Sequence, residues 1–201
     1  MGTPRLVLAS ASPRRRELLA RVGYRFETDP SSVEEVQLTG EEPLASVLRL
    51  SVEKASSVLA RRGGAGEAVL GADTTVVLEG EMIGKPRDRR DAVELLLRLR
   101  GRNHLVYTAW ALLWAADYYP PVCGYTVSTV RMREFSARAA RAYVGSGEAD
   151  DKAGAYAVQG LGSALVAAVF GCVDNVIGLP LCQLRPVLAS RGIRPLAGRY
   201  R

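Results

Sequence analysis

The stretch Arg5-Leu6-Val7-Leu8-Ala9-Ser10-Ala11-Ser12-Pro13-Arg14-Arg15-Arg16-Glu17-Leu18-Leu19 decides the fold class. Its first five residues read as a buried strand, with no polar side chain after Arg5. Ser12 is a helix N-cap and Pro13 stands at the first helical position, where its missing N–H costs nothing. Leu18, Leu19 and Val22 give the following helix one apolar face, and Gly23 stops it. A strand that runs straight into a helix start is the unit of an α/β fold.

The pattern continues outward from there. A second helix runs from Pro43 to about Arg62, with Val47, Leu48, Val52, Ala55 and Leu59 at helical spacing, and Gly63-Gly64 ends it. Ala68–Leu78 reads as a strand that turns at Glu79-Gly80 into Met82-Ile83. Asp88 caps a helix faced by Ala92, Leu95, Leu96 and Leu99 and closed by Gly101. Leu105–Ala116 and Val122–Met132 read as two strands joined at Asp117–Pro121, a hairpin. Ser136 caps a short helix ending at Gly145, and Ala164–Phe170 is a further strand. Pro180 opens a last helix that Pro186 is expected to kink. The hairpin excludes an all-parallel sheet, so the fold expected is α/β with a mixed sheet. The chain of 201 residues reads as one domain, with a poorly ordered tail after about residue 193.

Charge and rare residues exclude whole classes of chemistry. The net charge of +6 sits at the two ends: residues 1–25 carry six Arg and one Glu, and residues 185–201 carry five Arg and no acid. The middle is acidic. One histidine, His104, rules out sites built on several imidazoles. Cys123, Cys172 and Cys182 have no zinc spacing and read as reduced thiols of a cytoplasmic protein. No apolar run reaches the roughly 18 residues of a membrane span, and the basic cluster follows the first apolar stretch, the wrong order for a secretory signal.

Four segments could carry chemistry. Ser10–Arg16 offers free backbone N–H groups, a helix dipole, two hydroxyls and adjacent Arg side chains, either as an anion site or as a capped helix with solvated arginines. Asp73, in Gly71-Ala72-Asp73-Thr74-Thr75, interrupts an apolar strand. It is either paired or metal-bound, or bonded to backbone at a strand bend. Glu34-Glu35 could supply a second carboxylate, since magnesium uses one or two carboxylates plus substrate phosphates. Ile83–Asp88 is a cationic loop ahead of a helix. Asp151–Gly160 sets Lys152, Tyr156 and Gln159 among small residues, and Gln159 could read a base edge, because an amide both donates and accepts. The lysines add weight. Of 27 cationic residues only Lys54, Lys85 and Lys152 are lysine, and two of them fall in these loops. A compact ammonium suits a tight polyphosphate pocket where the broad guanidinium fork does not.

The segments LASASPRRRELL, VEKA, GADTTVV, GEMIGKPRD, LRGRNHLVYTA, DKAGAYAVQG and NVIGLP, in this order from about Leu6 to Leu184, resemble the Maf nucleotide pyrophosphatases. The resemblance implies an elongated mixed β-sheet flanked by helices, with two lobes and a central cleft, related to the inosine-triphosphate pyrophosphatases. It implies cytoplasmic, often dimeric members that hydrolyse nucleoside triphosphates to the monophosphate and pyrophosphate with a divalent metal, Mg2+ or Mn2+. By motif position Asp73 resembles the catalytic proton acceptor. Arg14, Thr74 and Gln159 resemble specificity positions in the combination of the dTTP and UTP branch, where the 7-methyl-GTP branch tends to carry Trp, Gln and Glu. Ser10, Arg15, Lys54, Lys85 and Lys152 match phosphate-side positions. Glu35 with Asp73 matches the metal position, although Glu34-Glu35 stands where many members carry Asp-Glu. His104 matches a motif position and reads as structural. Two rivals remain: a modified or purine triphosphate as substrate, and a nucleic-acid-binding or regulatory protein of cell division. The second lacks aromatic-rich basic surface, and Asp73 and Glu35 would repel nucleic acid.

Overall fold

The computed structural model describes residues 4–62, 64, 66–115 and 119–196. The expected tail beyond 196, the stop at Gly63, and Ala116 and Asp117 of the hairpin lie outside the described residues.

The chain alternates strand and helix as the N-terminal stretch implies. Strand β1 (Arg5–Leu8) enters α1 (Pro13–Arg21), and β2 (Phe26–Thr28) precedes α2 (Pro43–Arg62). Then come β3 (Glu67–Leu78), β4 (Glu81–Ile83), α3 (Arg89–Leu99), β5 (Asn103–Trp114) and β6 (Val122–Met132). The last elements are α4 (Ala137–Gly145), β7 (Val166–Phe170), α5 (Val173–Ile177) and α6 (Leu181–Ser190). The seven strands form one sheet in the order β2-β1-β3-β5-β6-β7, with β4 on β3. It is mixed: β1 is parallel to both β2 and β3, while β3–β4 and β6–β7 are antiparallel.

Three expectations are amended. The strand placed at Ala164 starts at Val166, because Gly160–Leu165 is a 3-10 turn. Short β2 and α5 were not anticipated, being too brief to show a period. Pro186 is the sixth of the ten residues of α6, and the helix continues past it to Ser190; a proline there removes one interior hydrogen bond without ending the helix.

The contacts divide the chain into two compact units. Unit 1 is Met1–Asp73, Thr108–Thr126 and Gly178–Arg201, and unit 2 is Thr74–Tyr107 and Val127–Ile177. In unit 1 a core cluster joins Val7, Ala9, Ala55, Val58, Val69, Ala111 and Leu113. In unit 2 Leu96 and Leu99 of α3 pack with Val76, Val106, Val130, Met132 and Tyr143; each buried leucine contributes roughly 1.5–3 kcal/mol. The end of α2 is tied to the start of β3 by charge. Arg62 donates to both oxygens of the buried Glu67, at 3.0 and 2.8 Å, and holds that carboxyl below the usual carboxylate range.

His104 is a core residue of unit 2, as the sequence implies. It is buried, and its Nε2 lies 2.7 Å from the Tyr156 hydroxyl. Burial pushes its pKa down to about 4, so the ring is neutral at neutral pH. Its charged form is tolerated in the unfolded chain but not in the fold. The stability linked to it is therefore present above the ordinary value of about 6.5 and is lost as pH falls from there toward 4. A shift of this size corresponds to about 3 kcal/mol. Urea unfolding at pH 7 and pH 4.5 is expected to show this loss in the native chain and a flatter response in His104→Gln. Equal losses in both would show that other groups carry the acid sensitivity.

Candidate active site

Unit 1 assembles the polar residues that the first two candidate segments supply. At the head of α1 the Ser12 hydroxyl accepts from the Arg15 backbone N–H at 3.4 Å, and Pro13 opens the helix. The cap works as the sequence implies: Pro13 has no N–H, Ser12 takes the Arg15 N–H on its hydroxyl and the Arg16 N–H on its carbonyl, and of the first turn only the Arg14 N–H stays outside these bonds. The Ser10 hydroxyl accepts from the Ser12 N–H and from the Arg15 guanidinium, each at 3.2 Å. Arg15 also donates from Nε to the Gly178 carbonyl at 2.8 Å, which ties the SASPRR turn to the NVIGLP stretch. Arg15 is thus buried and fixed. Burial pulls its pKa down, and the charges of Asp73 and Glu35 oppose that pull. Arg14, beside it, has a buried Nε without a partner among the described residues.

The second cluster forms where α2 lies against β3. Gly71 makes that approach possible: a Cβ there would run into the Ser51 carbonyl oxygen and stand 2.8 Å from the Ala55 nitrogen. Asp73 is two residues further along β3, so its side chain leaves the strand on the same face. Lys54, on α2 beside Ala55, meets it there. Its Nζ donates to Asp73 Oδ1 at 2.5 Å and to Glu35 Oε1 at 2.7 Å. Lys54 and Asp73 are buried, while the Glu35 side chain is 42% exposed. Burial raises the Asp73 carboxyl above the ordinary carboxylate value, against the charges of Lys54 and Arg15. Of the adjacent acids, it is Glu35 that reaches Lys54; Glu34 is exposed and its backbone carbonyl accepts from the Val36 N–H. The donor set suits a divalent cation of the magnesium type. Two carboxylates converge on one ammonium, and such an ion takes one or two carboxylates and completes its shell from phosphates and water. Among the described residues no group of three or more His, Cys, Asp or Glu converges as a closed metal site.

Unit 2 holds the remaining sequence candidates. The Gly154 N–H donates to the Gly84 carbonyl at 3.0 Å. This bond joins the loop of Lys85 to that of Lys152, one residue away on one side and two on the other. Lys85 is exposed, and Lys152 donates to Asp151 at 2.5 Å. Gly154 and Ala155 both have positive φ, +71° and +56°, and alanine there is strained backbone. The loop is held in that shape from outside. The Tyr143 hydroxyl accepts from the Ala157 N–H at 3.1 Å, and Glu148 accepts from the Gly162 N–H at 2.7 Å. Gln159, between the anchored Ala157 and Gly162, is exposed, and Thr74 is half-buried on β3.

Sequence reading missed Gly178 as a partner of Arg15, and it missed Arg49. The Arg49–Glu53 spacing of four is that of an ordinary helix-surface pair. Its contacts with residues 36 and 41 are not a local pattern.

A family model described as "Maf-like protein" matches residues 5–191. A protein named dTTP/UTP pyrophosphatase from Anaeromyxobacter dehalogenans is 46% identical over 190 residues, 94% of this chain and 95% of that one. One of the same name from Myxococcus xanthus is 47% identical over 194 residues, 96% and 95% of the two chains. Among solved structures, the Staphylococcus aureus Ham1 protein matches at a TM-score of 0.46 and 14% identity, covering 81% of this chain and 79% of that one.

Proposed function

The chain belongs to the family of Maf-like proteins, and from that premise we propose that it is a nucleoside triphosphate pyrophosphatase acting on dTTP and UTP. Relatives that share 46 and 47% of their residues with it over nearly the whole chain carry that name. The observation that carries the reading is the buried Asp73, set with Glu35 on one ammonium and within the field of Arg15.

In this reading Asp73 is the proton acceptor. A water oxygen forms a bond to the α-phosphorus while the bond from that phosphorus to the bridging oxygen breaks. The water proton passes to the Asp73 carboxylate, and pyrophosphate leaves with the bridging oxygen. Burial strengthens Asp73 as a base, and Lys54 keeps it ionised, so the two effects together hold a base ready near neutral pH. Ser10 fixes Arg15, and the positive end of the α1 dipole with the Arg14 N–H and the Arg14 and Arg15 guanidinium groups favours phosphate oxygens there. A divalent cation, Mg2+ or Mn2+, bound through Glu35 and Asp73 would supply charge neutralisation at the phosphates. Lys54, Lys85 and Lys152 are proposed as phosphate-side cations, and Arg14, Thr74 and Gln159 as readers of the pyrimidine; these roles follow the motifs. The cytoplasm, where Cys123, Cys172 and Cys182, none of them in a disulfide, stay reduced, is the proposed compartment.

The test is pyrophosphate release from dTTP, UTP, CTP, ITP and 7-methyl-GTP with magnesium and with manganese. dTTP and UTP are expected to lead by at least about 10-fold in kcat/KM, the lower range of what a two-bonded contact to a base edge supplies. A lead for 7-methyl-GTP or ITP would overturn the base assignment. Salt-dependent DNA binding without hydrolysis of any triphosphate would overturn the enzyme itself.

A further inference from the structure

We propose that Arg49 is a positioning residue that holds the Glu35 carboxylate at Lys54 and Asp73 by clamping the loop that carries it onto α2. The proposal rests on the role read for Glu35 above. Fourteen residues, 29–42, join β2 to α2 without regular structure. Residues 34–40 are all exposed, Val36 by 51% and Leu38 by 52%. Hydrophobic burial therefore does not fix this segment, although Glu35 lies in it. Polar bonds must do so.

Arg49 supplies them on the C-terminal side of Glu35. Its Nε and one terminal nitrogen each donate to Glu41 at 2.7 Å, as a two-pronged pair. The same terminal nitrogen donates to the Val36 carbonyl at 3.0 Å, the residue next to Glu35. The other terminal nitrogen donates to both Glu53 oxygens at 3.2 Å, which braces the guanidinium against α2. An arginine offers donors from three nitrogens, and all three nitrogens of Arg49 are engaged. A lysine, with a compact ammonium and three donors, cannot repeat this fork. Arg49 and Lys54 stand on one rigid helix, so the clamp on residues 36 and 41 and the bond to Glu35 share one frame.

The experiment is a double-mutant cycle read by two methods. Arg49→Met and Arg49→Lys are each expected to lower dTTP turnover by about 10- to 100-fold, the usual effect of losing an outer partner of a functional carboxylate. The manganese concentration for half-maximal rate should rise with it. Hydrogen exchange of residues 34–41 in the metal-free protein should quicken, while exchange in β3 stays as in the native chain. In the Glu35→Gln background, Arg49→Met should cost nothing more. Glu53→Gln, which keeps one oxygen to brace Arg49 and leaves its bonds to Val36 and Glu41, should keep native turnover and exchange. Losses that multiply with Glu35→Gln, or native loop exchange in Arg49→Met, would overturn the positioning role. Native turnover in Glu35→Gln would overturn the reading of Glu35 itself, and this inference with it.

Discussion

Asp73→Asn is expected to lose at least about 10²-fold in turnover of dTTP while keeping its fold, because the amide cannot take a proton. The substitution is nearly isosteric. It keeps an oxygen for the Lys54 ammonium, which now stands 2.5 Å from Asp73 Oδ1, and Lys54 retains its second bond to Glu35 at 2.7 Å. The buried cation is therefore not stranded, which separates loss of chemistry from loss of structure. Thermal unfolding of the variant should lie close to that of the native chain, whose Asp73 already bears the cost of burying a charge. Pyrophosphate release measured under saturating dTTP gives the comparison. Near-native hydrolysis would remove Asp73 from the chemistry. Collapse of the fold would show that its pairing with Lys54 is structural first.

The parts of this site differ in how far they could be read before the structure was known. The SASPRR turn was legible because its chemistry is local: Ser12 caps a helix three residues on, and Pro13 can occupy only a few helical positions. The mixed sheet followed from the expected hairpin, and long strands such as β3 and β5, each of 12 residues, were legible because their apolar runs leave little ambiguity. Strand β2 has three residues, of which two are exposed, and nothing in Phe26-Glu27-Thr28 distinguishes it from a loop. For Lys54 the sequence offered rarity and a motif, and so a phosphate role. Its actual neighbours, Glu35 and Asp73, are each 19 residues away along the chain, on opposite sides. Pairing at that separation is set by how α2 packs on β3, a tertiary fact. Arg49 was invisible for the same reason.

The packing of α2 on β3 is the basis of the second large expectation. Gly71→Ala should both destabilise the protein and separate the charged pair. The added Cβ would press on the Ser51 carbonyl, stand 2.8 Å from the Ala55 nitrogen and 3.0 Å from the Ala55 Cβ. Two of these are backbone atoms of a buried helical turn, which cannot swing aside as a side chain can. Ser51 is fully buried and its hydroxyl is bonded to the Leu48 carbonyl, so the turn has no slack. Overpacking of this kind typically costs 1–3 kcal/mol, here about the upper end, and for a chain of this size that lowers Tm by roughly 5–10 °C. Relief comes from α2 moving off the strand, and Lys54 moves with it. A misplacement of about 1 Å near the reacting centre can cost 10²-fold in rate, so the folded fraction should be poorly active as well. The double variant Gly71→Ala/Ala55→Gly removes the Cβ–Cβ contact alone. It should recover little Tm and little turnover, because the backbone contacts remain. Full rescue by that pair would mean that side-chain volume, and not the approach of the two backbones, sets where Lys54 meets Asp73.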